Sequence, residues 1–219
     1  VSTPARKRTA VLVSGGGSNM AALIAAASDL AFPAEIVRVI CNRPDAGALA
    51  KAAAAGIETV IIDHRSYSDR ETFDAAVDAA LVAAETEIVC LAGFMRLLTP
   101  GFVEKWRDRM INIHPSLLPS FKGLHTHARA LAAGVTLHGC TVHFVRAEMD
   151  VGPIIVQAAV PVVDGDTSDT LAARVLAAEH RIYPQALAAV ASGHAVVHGE
   201  RVVHTGGGEP PAAFVWPPA

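Results

Sequence analysis

A chain of 219 residues can bury one sizeable core, and nothing in its makeup demands a second domain. Its hydrophobic content of 52% comes largely from Ala and Val, with 5% aromatic residues, which suits a tightly packed α/β protein and excludes a disordered chain. Eighteen Lys and Arg against 21 Asp and Glu give a formal charge of -3, which argues against a broad nucleic-acid surface but leaves room for a local anion pocket. Apolar runs stay below the ~18 to 20 residues of a membrane span. The opening VSTPARKR lacks the apolar core of a secretory signal, so a cytoplasmic location is expected. Cys41, Cys90 and Cys140 are far apart and sit in apolar settings, which makes them small buried hydrophobes rather than a disulfide framework.

In chain order, Ala10 to Ser14, Ala34 to Cys41, Thr59 to Asp63, Glu87 to Gly93 and Met110 to His114 are expected as strands. Between them, Asn19 to Ala27, Ala46 to Ala55 and Arg70 to Ala84 are Ala-rich and expected as helices. Strand-helix-strand alternation implies right-handed crossovers and a parallel sheet covered on both faces, with ligands bound beyond the carboxyl ends of its strands. The second half changes character. A short helix from Thr126 to Ala133 precedes strands at His138 to Val145 and Pro153 to Val160, joined by RAEMDVG. A long helix follows from Thr170 to Val190, with caps offered by DTSDT, and then a hairpin from Val196 to Val203. The tail from Thr205, rich in Gly and Pro, is expected to wrap or fray.

The first strand runs into SGGGSNM, Ser14 to Met20. Gly15, Gly16 and Gly17 allow a tight turn and a close backbone approach, while Ser18 and Asn19 present donors at a helix start, which suits a phosphate. Met20 stands where a dinucleotide fingerprint needs a small residue, no acidic residue ends the second strand, and a Walker Lys is absent. A phosphomonoester is favoured over NAD or ATP, with a plain strand-to-helix turn as the alternative.

MINIHPSLLPSFKG, Met110 to Gly123, interrupts an apolar strand with Asn112 and His114. Residues two apart on a strand share a face, so an amide and an imidazole would lie side by side where Pro115 helps stop the strand. Such a pair can polarise a carbonyl and carry a proton, or simply satisfy loop backbone. Asp150, in AEMDVGP, would fix the tautomer of a nearby His114 and support its charged form, or form an ordinary Asx turn. His125, His127, His138 and His143 read as satisfied loop histidines rather than metal ligands, since no carboxylates or thiolates cluster with them. AGFMRLL, Ala92 to Leu98, is core or the edge of a flat-ring pocket.

Taken together, SGGGSN, LAGFMRLL, INIHPSLLPSFKGLHTH, HGCTVHFV, MDVGP and AEHRIYP resemble the phosphoribosylglycinamide formyltransferase family of folate-dependent enzymes, in consistent order from Ala10 to about Val203. The resemblance implies an α/β fold with a mostly parallel, Rossmann-like sheet flanked by helices and an antiparallel C-terminal portion. It implies one domain over 1–205, with a nucleotide-binding half at about 9–105 and a catalytic and folate half at about 106–205, followed by the tail at 206–219. It also implies formyl transfer from 10-formyltetrahydrofolate, a co-substrate, to glycinamide ribonucleotide in purine biosynthesis, with no metal, no nucleic acid and no membrane. A homodimer is compatible with it.

By the same resemblance Asn112, His114 and Asp150 are catalytic. Gly17, Ser18, Asn19, Leu176, Ala177, Ala178 and Glu179 face the ribonucleotide. Arg70, Met95, Arg96, Leu97, Leu98, Asn112, Arg146, Ala147, Glu148, Met149 and Asp150 face the folate. Gly16 stands where a larger polar residue can occur in that family. The runner-up is formyltetrahydrofolate hydrolase, whose relatives add an N-terminal regulatory domain. Methionyl-tRNA formyltransferase, with an added RNA-binding domain, and a non-catalytic binding protein are further alternatives.

Overall fold

The computed structural model describes residues 5–206, so the tail expected to wrap or fray lies, beyond Gly206, outside the described residues. Nine strands and six α-helices follow one another as β1 (Lys7–Val13), α1 (Ser18–Ala27), β2 (Ala34–Cys41), α2 (Gly47–Ala54), β3 (Thr59–Ile61), α3 (Arg70–Ala83), β4 (Ile88–Leu91), α4 (Pro100–Lys105) and β5 (Met110–His114). Then come α5 (Thr126–Ala132), β6 (Leu137–Phe144), β7 (Ile154–Pro161), α6 (Ser168–Ala191), β8 (Ala195–His198) and β9 (Arg201–His204). Two short elements escaped the sequence reading. They are α4, whose six residues are too few for a periodicity, and a 3₁₀ turn at His64–Ser66. The cue for α4 was Thr99 followed by Pro100, a capping hydroxyl and a Pro in the first turn.

Seven strands form one sheet in the order β3-β2-β1-β4-β5-β6-β7, and β8 pairs with β9 in a separate hairpin. β1 to β5 are mutually parallel, whereas β6 and β7 are antiparallel to their neighbours. The chain first builds outward from β1 to β3, then returns to add β4 on the other flank. The loops after β1 and β4 therefore diverge at a switch point, the place where an open α/β sheet holds ligands.

One apolar layer packs α1, α2, α5 and α6 on a face of the sheet through Met20, Leu23, Ala48, Ala130, Leu171 and Leu187. The opposite layer packs α3 and α4 through Phe73, Val77, Leu81, Phe102 and Trp106. Cys41, Cys90 and Cys140 are free and buried in these layers, and burial pushes the Cys90 and Cys140 thiols up to about 12. Among the described residues no helix is long and apolar enough to cross a membrane.

Helix α6 packs along the sheet and is fixed at its start and at its middle. Thr167 caps it in a reciprocal box with Thr170, and Arg174 binds both carboxylate oxygens of Asp166, at 2.7 and 3.0 Å. In its middle the Tyr183 hydroxyl, fully buried, donates to Leu91 O at 2.9 Å, while Ile111 O lies 3.3 Å away. That hydroxyl ties α6 to the last residue of β4 and the second residue of β5, one turn along the helix from Glu179. Tyr183→Phe keeps the ring but strands two buried carbonyl contacts. It should lower the unfolding free energy in urea by about 1–3 kcal/mol without changing the fold.

Candidate functional site

The loop after β1 ends at Gly17, the N-cap of α1, whose φ of 68° lies in the left-handed region. No side chain caps the helix, and the first intrahelical bond runs from Ala21 N to Gly17 O, so the N–H groups of the first turn are available to an anion. Beside it, Asn19 Nδ2 donates to Glu179 Oε2 at 2.7 Å, joining α1 to α6 across 160 positions of sequence. Glu179 is 6% exposed, and burial raises its pKa against the lowering effect of Asn19. Asn19 Oδ1 is buried without a partner. Leu176 to Ala178 form the turn of α6 just before Glu179. On its other side the glycine loop borders an open cleft lined by Gly15, Gly16, Arg43 and Asp45.

The loop after β4 leaves Met95 72% and Leu97 54% exposed, so these apolar side chains are not core. Arg96 turns back to stack its guanidinium over Phe73, 5.0 Å from the ring centre. Arg70 is the first residue of α3, exposed, on the same edge of the sheet as the ends of β1 and β4.

β5 carries Asn112 and His114 on one face, as the two-residue repeat dictates, while Ile111 and Ile113 face the α1/α6 core. The antiparallel register sets His143 opposite Asn112 and Thr141 opposite His114. His143 Nδ1 lies 2.9 Å from Phe144 O, which can only accept, so Nδ1 carries the hydrogen. Burial lowers the pKa of His143, and its neutral ring then offers Nε2 as an acceptor to Asn112 Nδ2 at 3.2 Å. One amide hydrogen of Asn112 is thereby spent on orientation, and the other remains for a ligand.

His114 is 6% exposed. Its Nε2 meets Phe121 O at 3.1 Å and its Nδ1 meets Asp150 Oδ1 at 3.4 Å. Both ring nitrogens face acceptors, an arrangement that the doubly protonated imidazolium fills with two donors. Asp150 adopts a φ of 54°, and its Oδ2 accepts from Gly123 N at 2.7 Å.

Because β6 is antiparallel, its connection to β7 leaves from the edge where β5 begins. Arg146 there pairs with Asp108 at 2.9 Å and with Glu200 at 3.1 Å. Asp150 nonetheless reaches the far end of β5, so residues 146–152 fold back over the face that bears Asn112. Gly152 makes the return possible, since a Cβ there would lie 2.0 Å from Phe144 O. In the same loop Met149 is half exposed, and Glu148 Oε1 lies 3.7 Å from Lys122 Nζ.

The structure thus brings Asn112, His114 and Asp150 together, and Asn19 and Glu179 together. It directs the Arg96 and Arg146 side chains to protein partners. The histidines need a correction: His138 and His143 stand buried within the expected strand rather than in a loop, and neither ring nitrogen of His138 makes a well-formed hydrogen bond, its polar contact being with the Pro115 backbone. His138 stacks edge-on to Phe121 and His127 instead, and burial pushes it down to about 4. The orienting role of His143 went unread because it depends on strand register, which one sequence does not display.

Residues 7–187 match the formyl transferase family. The trifunctional purine biosynthetic protein adenosine-3 of Bos taurus is 54% identical over 190 residues, which cover 87% of this chain and 19% of that protein. The chain thus spans about a fifth of that curated relative. The phosphoribosylglycinamide formyltransferase of Escherichia coli is 41% identical over 204 residues, covering 93% of this chain and 96% of that one. Among solved structures, glycinamide ribonucleotide transformylase 1 from Symbiobacterium toebii superposes with a TM-score of 0.88 at 45% identity, covering 91% and 94% of the two chains. A formyltetrahydrofolate deformylase from Pseudomonas syringae pv. tomato shares the fold at a TM-score of 0.86 with 27% identity, covering 92% of this chain and 67% of that one.

Two measurements check this geometry. A Cβ on Gly17 would lie 2.7 Å from Ala48 Cβ, whereas one on Gly15 meets nothing within 4 Å. Gly17→Ala should therefore cost about 2 kcal/mol or more in urea unfolding, through left-handed strain and overpacking, and Gly15→Ala well under 1 kcal/mol. The second concerns pH. His127, His138 and His143 all have folded pKa values below the unfolded value near 6.5, so the unfolded chain binds more protons in between. Stability should be full above about pH 6.5 and fall as pH drops towards 4, with His138 contributing on the order of 3 kcal/mol. Urea midpoints that hold constant from pH 7 to 4.5 would contradict it.

Proposed function

Because the chain belongs to the formyl transferase family, we propose that it transfers the formyl group of 10-formyltetrahydrofolate to the amine of glycinamide ribonucleotide, giving formylglycinamide ribonucleotide and tetrahydrofolate. The observation that carries this reading is the convergence of Asn112, His114 and Asp150 at the carboxyl end of β5, the same edge of the parallel sheet at which the glycine loop after β1 opens a helix without a side-chain cap. The E. coli formyltransferase, matched over almost all of both chains, supports the same acceptor.

The ribonucleotide phosphate sits on the N–H groups of Gly17, Ser18 and Asn19, and Glu179 with Leu176 to Ala178 lines the glycinamide side. The folate lies against the 95–98 loop and the 146–150 loop, with Arg70 at the rim of the same edge. Folate is a co-substrate, and this chain's own residues supply the proton chemistry.

The neutral amine attacks the formyl carbon, and a C–N bond forms as the carbonyl oxygen takes up negative charge. The free amide hydrogen of Asn112 donates to that oxygen, and the His114 imidazolium, its two hydrogens held by Phe121 O and Asp150, stabilises the growing negative charge by its own positive charge. A proton then passes from the attacking nitrogen to the departing folate nitrogen, the second C–N bond breaks, and the tetrahedral adduct collapses to the amide and tetrahydrofolate. Asp150 accepts from Gly123 on one oxygen and faces His114 with the other, so it holds the charged ring in place while the oxyanion forms. Water is the competing acceptor, the one a deformylase uses. Placing the amine by its phosphate gives it the advantage of an intramolecular neighbour.

Asn112→Ala should lower the single-turnover rate by about 10²- to 10³-fold, the usual cost of one oxyanion donor, while both ligands bind within a few-fold of the wild type. Asp150→Asn keeps the size and removes the charge. It too should cost the chemical step rather than binding, because its interaction grows as charge develops in the transition state. Rates unchanged in both variants would remove this cluster from the reaction.

A further inference from the structure

The β1–β4 pairing does not end where the strands end. Ala92 N donates to Leu12 O at 2.9 Å, and Ser14 N donates to Gly93 O at 3.2 Å. Ser14 Oγ then accepts from Met95 N at 2.8 Å. Ser14 is 4% exposed and heads the glycine loop that leads into α1, yet its hydroxyl fixes the backbone of the loop after β4. That second loop is otherwise anchored to α3, through Phe94 stacked 6.4 Å from Phe73 and through Thr99 N, which donates to buried Asp74 at 2.7 Å.

We propose that Ser14 is a positioning residue that couples the two ligand sites, so that filling one raises affinity for the other. The inference rests on the reading of these loops as the ribonucleotide and folate sides. A ligand that rigidifies the loop it touches does so at a cost in conformational freedom. A hydrogen bond shared by both loops lets the first ligand meet part of that cost for the second, which is positive cooperativity without a change of shape. The backbone bond to Gly93 sits lower, at the strand ends, and does not reach the exposed part of the loop. The hydroxyl of Ser14 does.

The test uses the full chain with glycinamide ribonucleotide and tetrahydrofolate, a pair that lacks the formyl group and cannot react. Tetrahydrofolate affinity is titrated with and without saturating ribonucleotide. In the wild type the ribonucleotide should tighten tetrahydrofolate binding about fivefold or more, within the usual range of coupling between sites. Ser14→Ala should bring that ratio close to one, and Ser14→Thr, which keeps the oxygen, should retain it. Asp74→Ala loosens the same loop from its other anchor. It should weaken tetrahydrofolate binding while leaving the ratio as in the wild type.

Hydrogen exchange in the wild type gives a second readout that needs no variant: ribonucleotide alone should slow exchange at the Met95 amide. A wild-type ratio of one, an unchanged ratio in Ser14→Ala, loss of the ratio in Asp74→Ala, or unaltered Met95 exchange overturns the coupling. Binding of neither ligand to the wild type would instead overturn the functional reading beneath it.

Discussion

The site depends on β6 lying antiparallel to β5 in one register. That register places His143 opposite Asn112 and Thr141 opposite His114, and a slip of one residue would turn every side chain of β6 to the other face. The slip is prevented by burial. Cys140, Val142 and Phe144 lie on the core face, each 1% exposed or less, and fully burying a Val or Phe side chain is worth about 1.5–3 kcal/mol apiece. Hydrophobic packing on one side of the sheet thus fixes the orientation of an amide on the other.

The two halves of the sheet divide the work. The parallel half delivers helix starts and glycine turns to one edge, which suits an anion even though the chain carries a formal charge of -3, because the donors are backbone groups. The antiparallel half does something a parallel strand would not. It sends its connection out at the opposite edge, so that the chain must fold back across the sheet to bring Asp150 to His114. Around His114, the rings of His127, His138 and His143 are held toward the neutral form by burial. A positive charge on His114 is therefore not opposed by its neighbours. The carboxylate of Asp150 faces it at 3.4 Å.

Local patterns were legible in the sequence. The bounds of Ala34–Cys41 and Met110–His114 agree residue for residue, because apolar runs bordered by Pro and polar residues leave little freedom in where a strand stops. The shared face of Asn112 and His114 follows from the strand repeat alone. The parallel sheet follows from the strand-helix alternation. What was not legible is long-range. Asn19 meets Glu179 across the whole fold, and Asn112 meets His143 through a register that no local pattern specifies. His138 falls inside the strand expected from His138 to Val145, and its burial there without a well-formed hydrogen bond depends on packing that one sequence does not display. Gly139 beside it is a strand residue with the Ala158 carbonyl where its Cβ would be, 1.9 Å away. Arg96 and Arg146 were placed by resemblance, and their side chains answer to Phe73, Asp108 and Glu200.

In the proposed reaction the formyl group goes to a bound amine rather than to water. That choice of acceptor is tested most directly by mixing excess enzyme with 10-formyltetrahydrofolate labelled in its formyl group, with and without glycinamide ribonucleotide. The label is then counted in formylglycinamide ribonucleotide and in formate after one turnover. Nearly all the label should enter the ribonucleotide when it is present, and little formate should appear when it is absent. Formate released at the same rate with or without the ribonucleotide would contradict the proposed reaction.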